Sequence, residues 1–124
     1  MKKEQKEFEE WANQQLRAIQ KLLLLDSYRL EPIESHEDAK FLESKYRYPY
    51  KEIVIRYGLD VNKYWPNEKE YLYNALVHEM CHPITDPFYT KAITRHTTKD
   101  EVEDERERLT DYIANIILKL KPQD

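Results

Sequence analysis

The sequence feature that most restricts the fold is a pair of histidines in the segment His78-Glu79-Met80-Cys81-His82. Side chains four residues apart lie on the same face of an α-helix, so both imidazoles can bind one ion if this segment is helical. An open zinc site takes three protein ligands and a water. The fold must therefore bring a third ligand to this helix from another part of the chain.

The sequence around the histidines predicts the helix that this pairing needs. Asn67 is a suitable N-terminal cap, and Glu70 at the third helical position completes a capping box. Pro83 follows His82 directly and predicts that the helix ends there. The two histidines should then lie in the last turns of this helix.

Two further helices are predicted near the ends of the chain. Residues 3 to 25 carry apolar side chains at helical spacing among Lys, Glu and Gln, which is typical of an amphipathic helix. The segment DEVEDERERLTDYIANIILKL, residues 100 to 120, has the same periodicity. Its first turns are acidic, which favours helix initiation because carboxylates are stabilised near a helix N-terminus.

The region between the first two helices predicts a sheet. The segments SYRLEPIES (27 to 35) and KEIVIRYG (51 to 58) have the composition of strands. DAKFLESKYRY (38 to 48) fits a third strand or a short helix, and Tyr48-Pro49-Tyr50 predicts a turn into the strand at 53 to 55. We therefore expect an α+β fold with a small antiparallel sheet of about three strands.

Length and charge restrict the kind of protein further. A chain of 124 residues has the size of one domain, and no segment repeats at a fixed period, so we expect a single domain over residues 1 to 124. The net charge of −4 argues against nucleic acid as a partner, because binding to phosphates needs clustered lysine and arginine.

The sequence also bears on location. The apolar run at 22 to 25 is too short to cross a membrane, and the N-terminal segment has no apolar signal-peptide core, so we expect no membrane partner. Cys81 is the only cysteine, which suits a reducing compartment. The expected location is the cytoplasm.

The predicted C-terminal helix offers the third ligand. Glu107 is the candidate, because Asp111 stands one turn later and the small residues Thr110 and Ala114 would let two helices approach closely. Asp111 can accept a hydrogen bond from the free ring N–H of a ligand histidine, which fixes the tautomer and raises the basicity of the ring. The expected zinc ligands are His78, His82 and Glu107.

These residues resemble the zinc site of the gluzincin metallopeptidases, whose third ligand is a glutamate on a helix beyond H-E-x-x-H. The ligand helix of that group carries E-x-x-[small]-D-x-x-[small], and here the pattern is Glu107-Arg-Leu-Thr110-Asp111-Tyr-Ile-Ala114. The resemblance spans about residues 50 to 120. In size and order of elements the chain is similar to the minimal zincins, including ImmA/IrrE-type peptidases and small phage-encoded metallopeptidases.

The expected activity is hydrolysis of peptide bonds. Zinc would activate a water, and Glu79 between the two ligands would take the proton of that water as general base. The expected partner is a protein or peptide substrate. An extended peptide could add to an edge of the sheet at the strand at 53 to 55.

Two other third ligands stay open. SprT-type proteins have H-E-x-x-H followed by another histidine, and His96 would take that place here, although the segment HTTKD lacks the glycine and aromatic residue expected after it. Glu103 stands one turn before Glu107. Two functions of another class also stay open. These are an inactive zinc-binding module that recognises a partner and an adaptor in which the histidines make ordinary hydrogen bonds.

Four remaining residues complete the prediction. Cys81 points about 100° round the helix from His82, so we expect a buried apolar residue and not a ligand. His36 has no partner at ligand spacing and should lie in a surface loop. Tyr89 and Tyr112 are candidate donors of a hydrogen bond to an oxyanion.

Overall fold

The computed structural model describes residues 3–47, 51–92 and 98–120. Within these ranges the fold is α+β, as expected. The helices are α1 (Lys3–Leu22), α2 (Lys69–Ala92) and α3 (Lys99–Lys119), with a short 3₁₀ helix at Leu59–Lys63. The strands are β1 (Arg29–Leu30), β2 (Glu34–Ser35), β3 (Leu42–Arg47) and β4 (Glu52–Tyr57).

The sheet is mixed and not antiparallel as the sequence suggests. β4 lies in the middle, with β3 antiparallel on one side and β1 and β2 parallel to it on the other. β4 follows β3 in the chain and runs antiparallel to it. It lies between β3 and the earlier strands β1 and β2, which run parallel to it. The predicted turn at 48 to 50 lies outside the described residues.

β1 and β2 form one interrupted edge strand. Five steps along the chain from Arg29 to Glu34 match only four steps on β4, from Glu52 to Arg56. The extra residue falls around Pro32, which lacks the N–H for a ladder bond and is tolerated at a sheet edge. Pro32 therefore lies at the break between β1 and β2.

The core lies between one face of the sheet and the helices α1 and α2. From α1 the residues Phe8, Ala12, Leu16 and Ile19 are buried at helical spacing. The other members of this core include Ile53, Ile55 and Tyr57 of β4 and Leu72, Leu76 and Met80 of α2. This packing holds the histidine-bearing helix against the sheet, because burial of apolar side chains stabilises the contact.

α2 begins later than the sequence suggests. Its first residue is Lys69, and the Leu72 N–H donates to the Glu68 carbonyl at 3.1 Å. Asn67, the expected cap, stands one position too early, in the turn that follows the 3₁₀ helix. The Glu68 N–H is already bonded to the Tyr64 carbonyl at 2.7 Å, so this turn leads directly into the helix.

α2 also continues through Pro83 and Pro87, so the expected end at Pro83 is wrong. A proline inside a helix removes one backbone hydrogen bond and costs about 3 kcal/mol. The last turns of α2 make tertiary contacts that offset this cost. Pro83 is fully buried, and the buried Thr85 hydroxyl bonds to that of Thr110 on α3 at 2.9 Å.

α3 packs against the C-terminal half of α2. The Thr98 hydroxyl caps its start by accepting from the Glu101 N–H at 3.1 Å. Thr110 and Ala114 are buried in α3, which agrees with the expectation that small residues allow a close approach. This contact places the charged residues of α3 beside the histidines.

Gly58, the only glycine in the chain, fixes the start of β3 against the end of β4. A Cβ atom there would stand 1.7 Å from the Ala39 carbonyl oxygen, so no larger residue fits. The Gly58 N–H donates to the Phe41 carbonyl at 2.8 Å. None of the helices, over the residues that the structure describes, combines the length and apolar character needed to cross a membrane.

Candidate metal centre

The two histidines of α2 direct one ring nitrogen each at the other. The Nε2 atoms of His78 and His82 are 3.2 Å apart. The remaining ring nitrogens each face a carboxylate: His78 Nδ1 is 2.6 Å from Asp111 Oδ1 on α3, and His82 Nδ1 is 3.2 Å from Asp86 Oδ1 one turn along α2. Each imidazole therefore has its own orienting carboxylate.

This pairing determines what can lie between the rings. A neutral imidazole has one N–H, and a carboxylate accepts it at Nδ1, so both Nε2 atoms then carry lone pairs. Two lone pairs 3.2 Å apart repel each other unless a proton or a metal ion lies between them. The arrangement thus favours a proton or a metal ion at the point where the rings converge.

Glu107 of α3 supplies a third atom at this point. Its Oε1 is 3.4 Å from His78 Nε2 and 3.5 Å from His82 Nε2, so the three atoms form a nearly equilateral triangle. Ligands about 2.0–2.1 Å from a tetrahedral zinc ion stand about 3.3–3.4 Å apart. The three atoms thus have the spacing that one zinc ion would require.

Glu79 lies beside the triangle. One of its carboxylate oxygens lies within 4.8 Å of a ring nitrogen of each histidine, while Glu107 Oε1 is 3.4 and 3.5 Å from the two Nε2 atoms. Burial raises the pKa of the Glu79 carboxyl, although the charges of the two histidines lower it, and the net pKa is above the usual range. A carboxyl with a raised pKa close to the ion, but outside the ligand triangle, suits proton transfer better than coordination.

Arg106 links the carboxylates around the centre. Its Nε donates to Glu107 Oε2 at 3.0 Å, which leaves Oε1 to face the histidines. Its Nη1 is 3.9 Å from Asp86 Oδ1, and its guanidinium stacks 4.1 Å from the centroid of the Tyr89 ring. Arg106 therefore positions Glu107 and partly neutralises the surrounding negative charge.

The centre opens into a shallow cleft of about 260 Å³ between α2, α3 and β3. From β3 the lining residues are Leu42, Glu43 and Ser44. The Ser44 side chain hydrogen-bonds to the Glu79 carboxylate, which lowers the pKa of Glu79 against the larger effect of burial. The strand beside the centre is thus β3, not the strand at 53 to 55 expected from the sequence.

The structure brings together five of the residues singled out from the sequence: His78, Glu79, His82, Glu107 and Asp111. Glu103 has other partners, since it accepts from the Tyr89 hydroxyl at 2.9 Å and lies 3.7 Å from Lys99 Nζ. His96 lies outside the described residues.

The other candidates lie away from the ligand triangle. The Tyr89 hydroxyl already donates to Glu103, and Tyr112 is 61% exposed on the α3 face opposite Glu107. Cys81 is fully buried, as expected, and burial raises the pKa of its thiol to about 11. His36 accepts from the Asp38 N–H at an exposed turn.

Asp86, Arg106 and Ser44 belong to the site but were not predicted. Asp86 stands four residues after His82, which is the spacing of a helical neighbour. This spacing did not predict a contact, because Pro83 indicated that the helix ends between His82 and Asp86. No sequence signal points to Ser44 or Arg106, since their roles depend on how β3 and α3 pack against α2.

The sequence matches no profile of a known protein family, and no curated protein or solved structure is similar enough to it to count as a relative. Inferences about function therefore depend on the residues and distances of the centre itself.

Proposed function

We propose that the chain is a zinc-dependent peptidase with a minimal zincin-like fold. His78, His82 and Glu107 hold the ion, and Glu79 is the general base. The observation that carries the proposal is the triangle of two ring nitrogens and one carboxylate oxygen with edges of 3.2, 3.4 and 3.5 Å. Two imidazoles and one glutamate are a common ligand set of catalytic zinc.

The residues of the chain divide the chemistry between them. A zinc ion held by His78, His82 and Glu107 would lower the pKa of a water ligand to ~7 and would polarise the substrate carbonyl. Glu79 accepts a proton from the water as its oxygen attacks the carbonyl carbon, and donates that proton to the amine when the C–N bond breaks. Asp111 and Asp86 hold the two imidazoles in the tautomer that leaves Nε2 free.

The edge of β3 supports a peptide as the substrate. In an antiparallel ladder alternate residues bond to the partner strand, and the Phe41 carbonyl accepts from Gly58, so residues 41, 43 and 45 face β4. The main chain of Leu42 and Ser44 then faces away from β4, toward the cleft that both residues line. An extended peptide can pair with this edge and bring a peptide bond to Glu79.

The location that we propose is the cytoplasm. The only cysteine, Cys81, is a buried free thiol, so the described fold uses no disulfide. Such a chain suits a reducing compartment.

The test of the proposal is cleavage of a peptide library by the zinc-loaded protein. Glu79→Gln removes the proton acceptor but keeps the size of the side chain, so zinc content and melting temperature should persist. The rate of cleavage should fall by ~10² to 10⁴, the usual contribution of general acid–base catalysis. A chelator should abolish cleavage by the unchanged protein.

Cleavage that survives both Glu79→Gln and the chelator would contradict this mechanism. Bound zinc without cleavage of any peptide would favour the inactive zinc-binding module. If the protein binds no zinc at all, both of these functions are wrong.

A further inference from the structure

An aromatic cluster with one exposed ring lies at the N-terminal end of α2. It consists of Phe41 directly before β3, Tyr64 after the 3₁₀ helix, and Tyr71 in the first turn of α2. The rings of Tyr64 and Tyr71 are stacked with centroids 4.6 Å apart, and the Phe41 ring is 5.4 and 6.0 Å from them. Tyr71 is 50% exposed. We call these three rings the aromatic platform.

α2 connects the platform to the metal centre. Tyr71, Ala75, His78 and His82 follow the spacing i, i+4, i+7 and i+11, which places them on one face of the helix. With a rise of 1.5 Å per residue, Tyr71 and His78 are about 10 Å apart along the axis. The small Ala75 between them leaves room for a ligand that reaches both.

β3 and the residue before it run beside this face of α2 in the same direction. At one end the Phe41 ring contacts the Tyr71 ring, and at the other Ser44 and Glu79 line the same cleft. The three residue steps from Phe41 to Ser44 span about 10 Å in an extended chain. The helix and the strand therefore give the same separation, about 10 Å, between the platform and the metal centre.

We propose that the aromatic platform binds a bulky apolar or aromatic side chain of the substrate, about three residues after the bond that is cut. This inference rests on the proposed peptidase function. A peptide that pairs antiparallel with β3 runs from Ser44 toward Phe41, so its C-terminal part approaches the platform. An extended peptide advances ~3.3 Å per residue and covers the 10 Å in about three residues.

The surroundings of the platform favour an apolar occupant. The exposed Tyr71 ring offers an apolar face and an edge to which an aromatic or aliphatic side chain can pack. The two charged residues that act on the Tyr64 hydroxyl, Lys63 and Glu68, have opposite signs. At this ring the charges therefore favour neither a cationic nor an anionic side chain.

The experiment uses a peptide whose cut bond has been located by mass spectrometry. A series is made with Phe, Leu, Lys or Ala at the third residue after that bond. The unchanged protein should cleave the Phe and Leu peptides with a kcat/KM on the order of ten-fold above the Ala peptide, the size of effect that a modest apolar contact gives. Tyr71→Ala should reduce this ratio toward one, and Tyr71→Phe should keep it.

Tyr112→Ala is the matched control, because Tyr112 is also an exposed tyrosine, at 61% against 50% for Tyr71, and lies on the outer face of α3. It should keep the preference of the unchanged protein. Zinc content and melting temperature of Tyr71→Ala verify that the fold and the metal centre are intact. A preference for Lys, no preference at all, or a loss of preference in both variants would overturn the inference.

Failure of the peptidase function has a different signature. If no peptide is cleaved, labelled peptides that carry Phe, Leu, Lys or Ala at each position in turn are titrated against zinc-loaded Glu79→Gln by fluorescence polarisation. Binding that favours Phe and Leu and depends on Tyr71 would support the platform without catalysis. Binding that is independent of both would overturn the platform as well.

Discussion

The imidazole of His82 is oriented by the Asp86 carboxylate on the same helix. This contact predicts how zinc binding should change with pH. Burial lowers the pKa of His82, but the hydrogen bond to Asp86 and the nearby carboxylates raise it more, so the net pKa is above the usual value. Zinc must displace the proton that His82 holds at low pH. Affinity for zinc should therefore be lost as the pH falls, beginning above the ordinary histidine pKa of about 6.5.

Asp86→Asn tests this relation. Without the carboxylate the pKa of His82 falls, so the pH at which half of the affinity is lost should move to a lower value. At pH 8 the variant should still bind zinc roughly 10- to 100-fold more weakly, because the orienting partner is gone. Competition with a chromophoric chelator measures both effects. Asp104→Asn, at an exposed position of α3, is the control, and an unchanged midpoint in Asp86→Asn would contradict the account.

At the scale of elements, α1 is followed by a residue, Leu24, whose backbone conformation is unfavourable for a leucine. Leu24 has φ +59°, in the left-handed region. The Leu25 N–H bonds to the Gln20 carbonyl at 2.9 Å and the Leu24 N–H to the Lys21 carbonyl at 3.1 Å, which is the Schellman pattern of a helix end. Glycine is the usual residue at this position because a side chain makes the left-handed region unfavourable.

Leu24→Gly should therefore stabilise the protein. Leu24 is 85% exposed, so little apolar burial is lost, and relief of the left-handed side chain should add about 0.5–1 kcal/mol to the free energy of unfolding. Leu22→Gly, at the last residue of the same helix, should have the opposite sign and cost up to about 1 kcal/mol. Urea denaturation measures both. Destabilisation by Leu24→Gly would show that this helix end is described wrongly.

The elements also show what local sequence can and cannot predict. α1 and α3 follow from apolar periodicity, since each packs one face against the rest of the molecule. α2 was predicted too short, because the rule that proline ends a helix neglects tertiary contacts such as that between Thr85 and Thr110. The sheet was predicted to be antiparallel but is mixed. Strand composition does not reveal that β4 lies between β2 and β3.

At the scale of the whole molecule, the candidate centre lies where two elements distant in sequence meet. His78, Glu79 and His82 could be found from spacing alone, because helical geometry relates them directly. Glu107 and Asp111 could be found only as a pattern on another helix, and the packing of α3 against α2 brings them to the histidines. Arg106 and Ser44 could not be found, because nothing in the local sequence fixes their neighbours.

The central claim is that one zinc ion joins α2 to α3 through His78, His82 and Glu107. The measurement that tests it most directly is the zinc affinity of single alanine variants of the purified protein, made without a histidine tag. Glu107→Ala should weaken binding far more than Glu103→Ala, one turn earlier on the same helix, or His96→Ala. The unchanged protein should bind about one equivalent of zinc, as a three-ligand site does. If His96→Ala abolishes binding and Glu107→Ala leaves it intact, the third ligand is His96 and the centre proposed here is wrong.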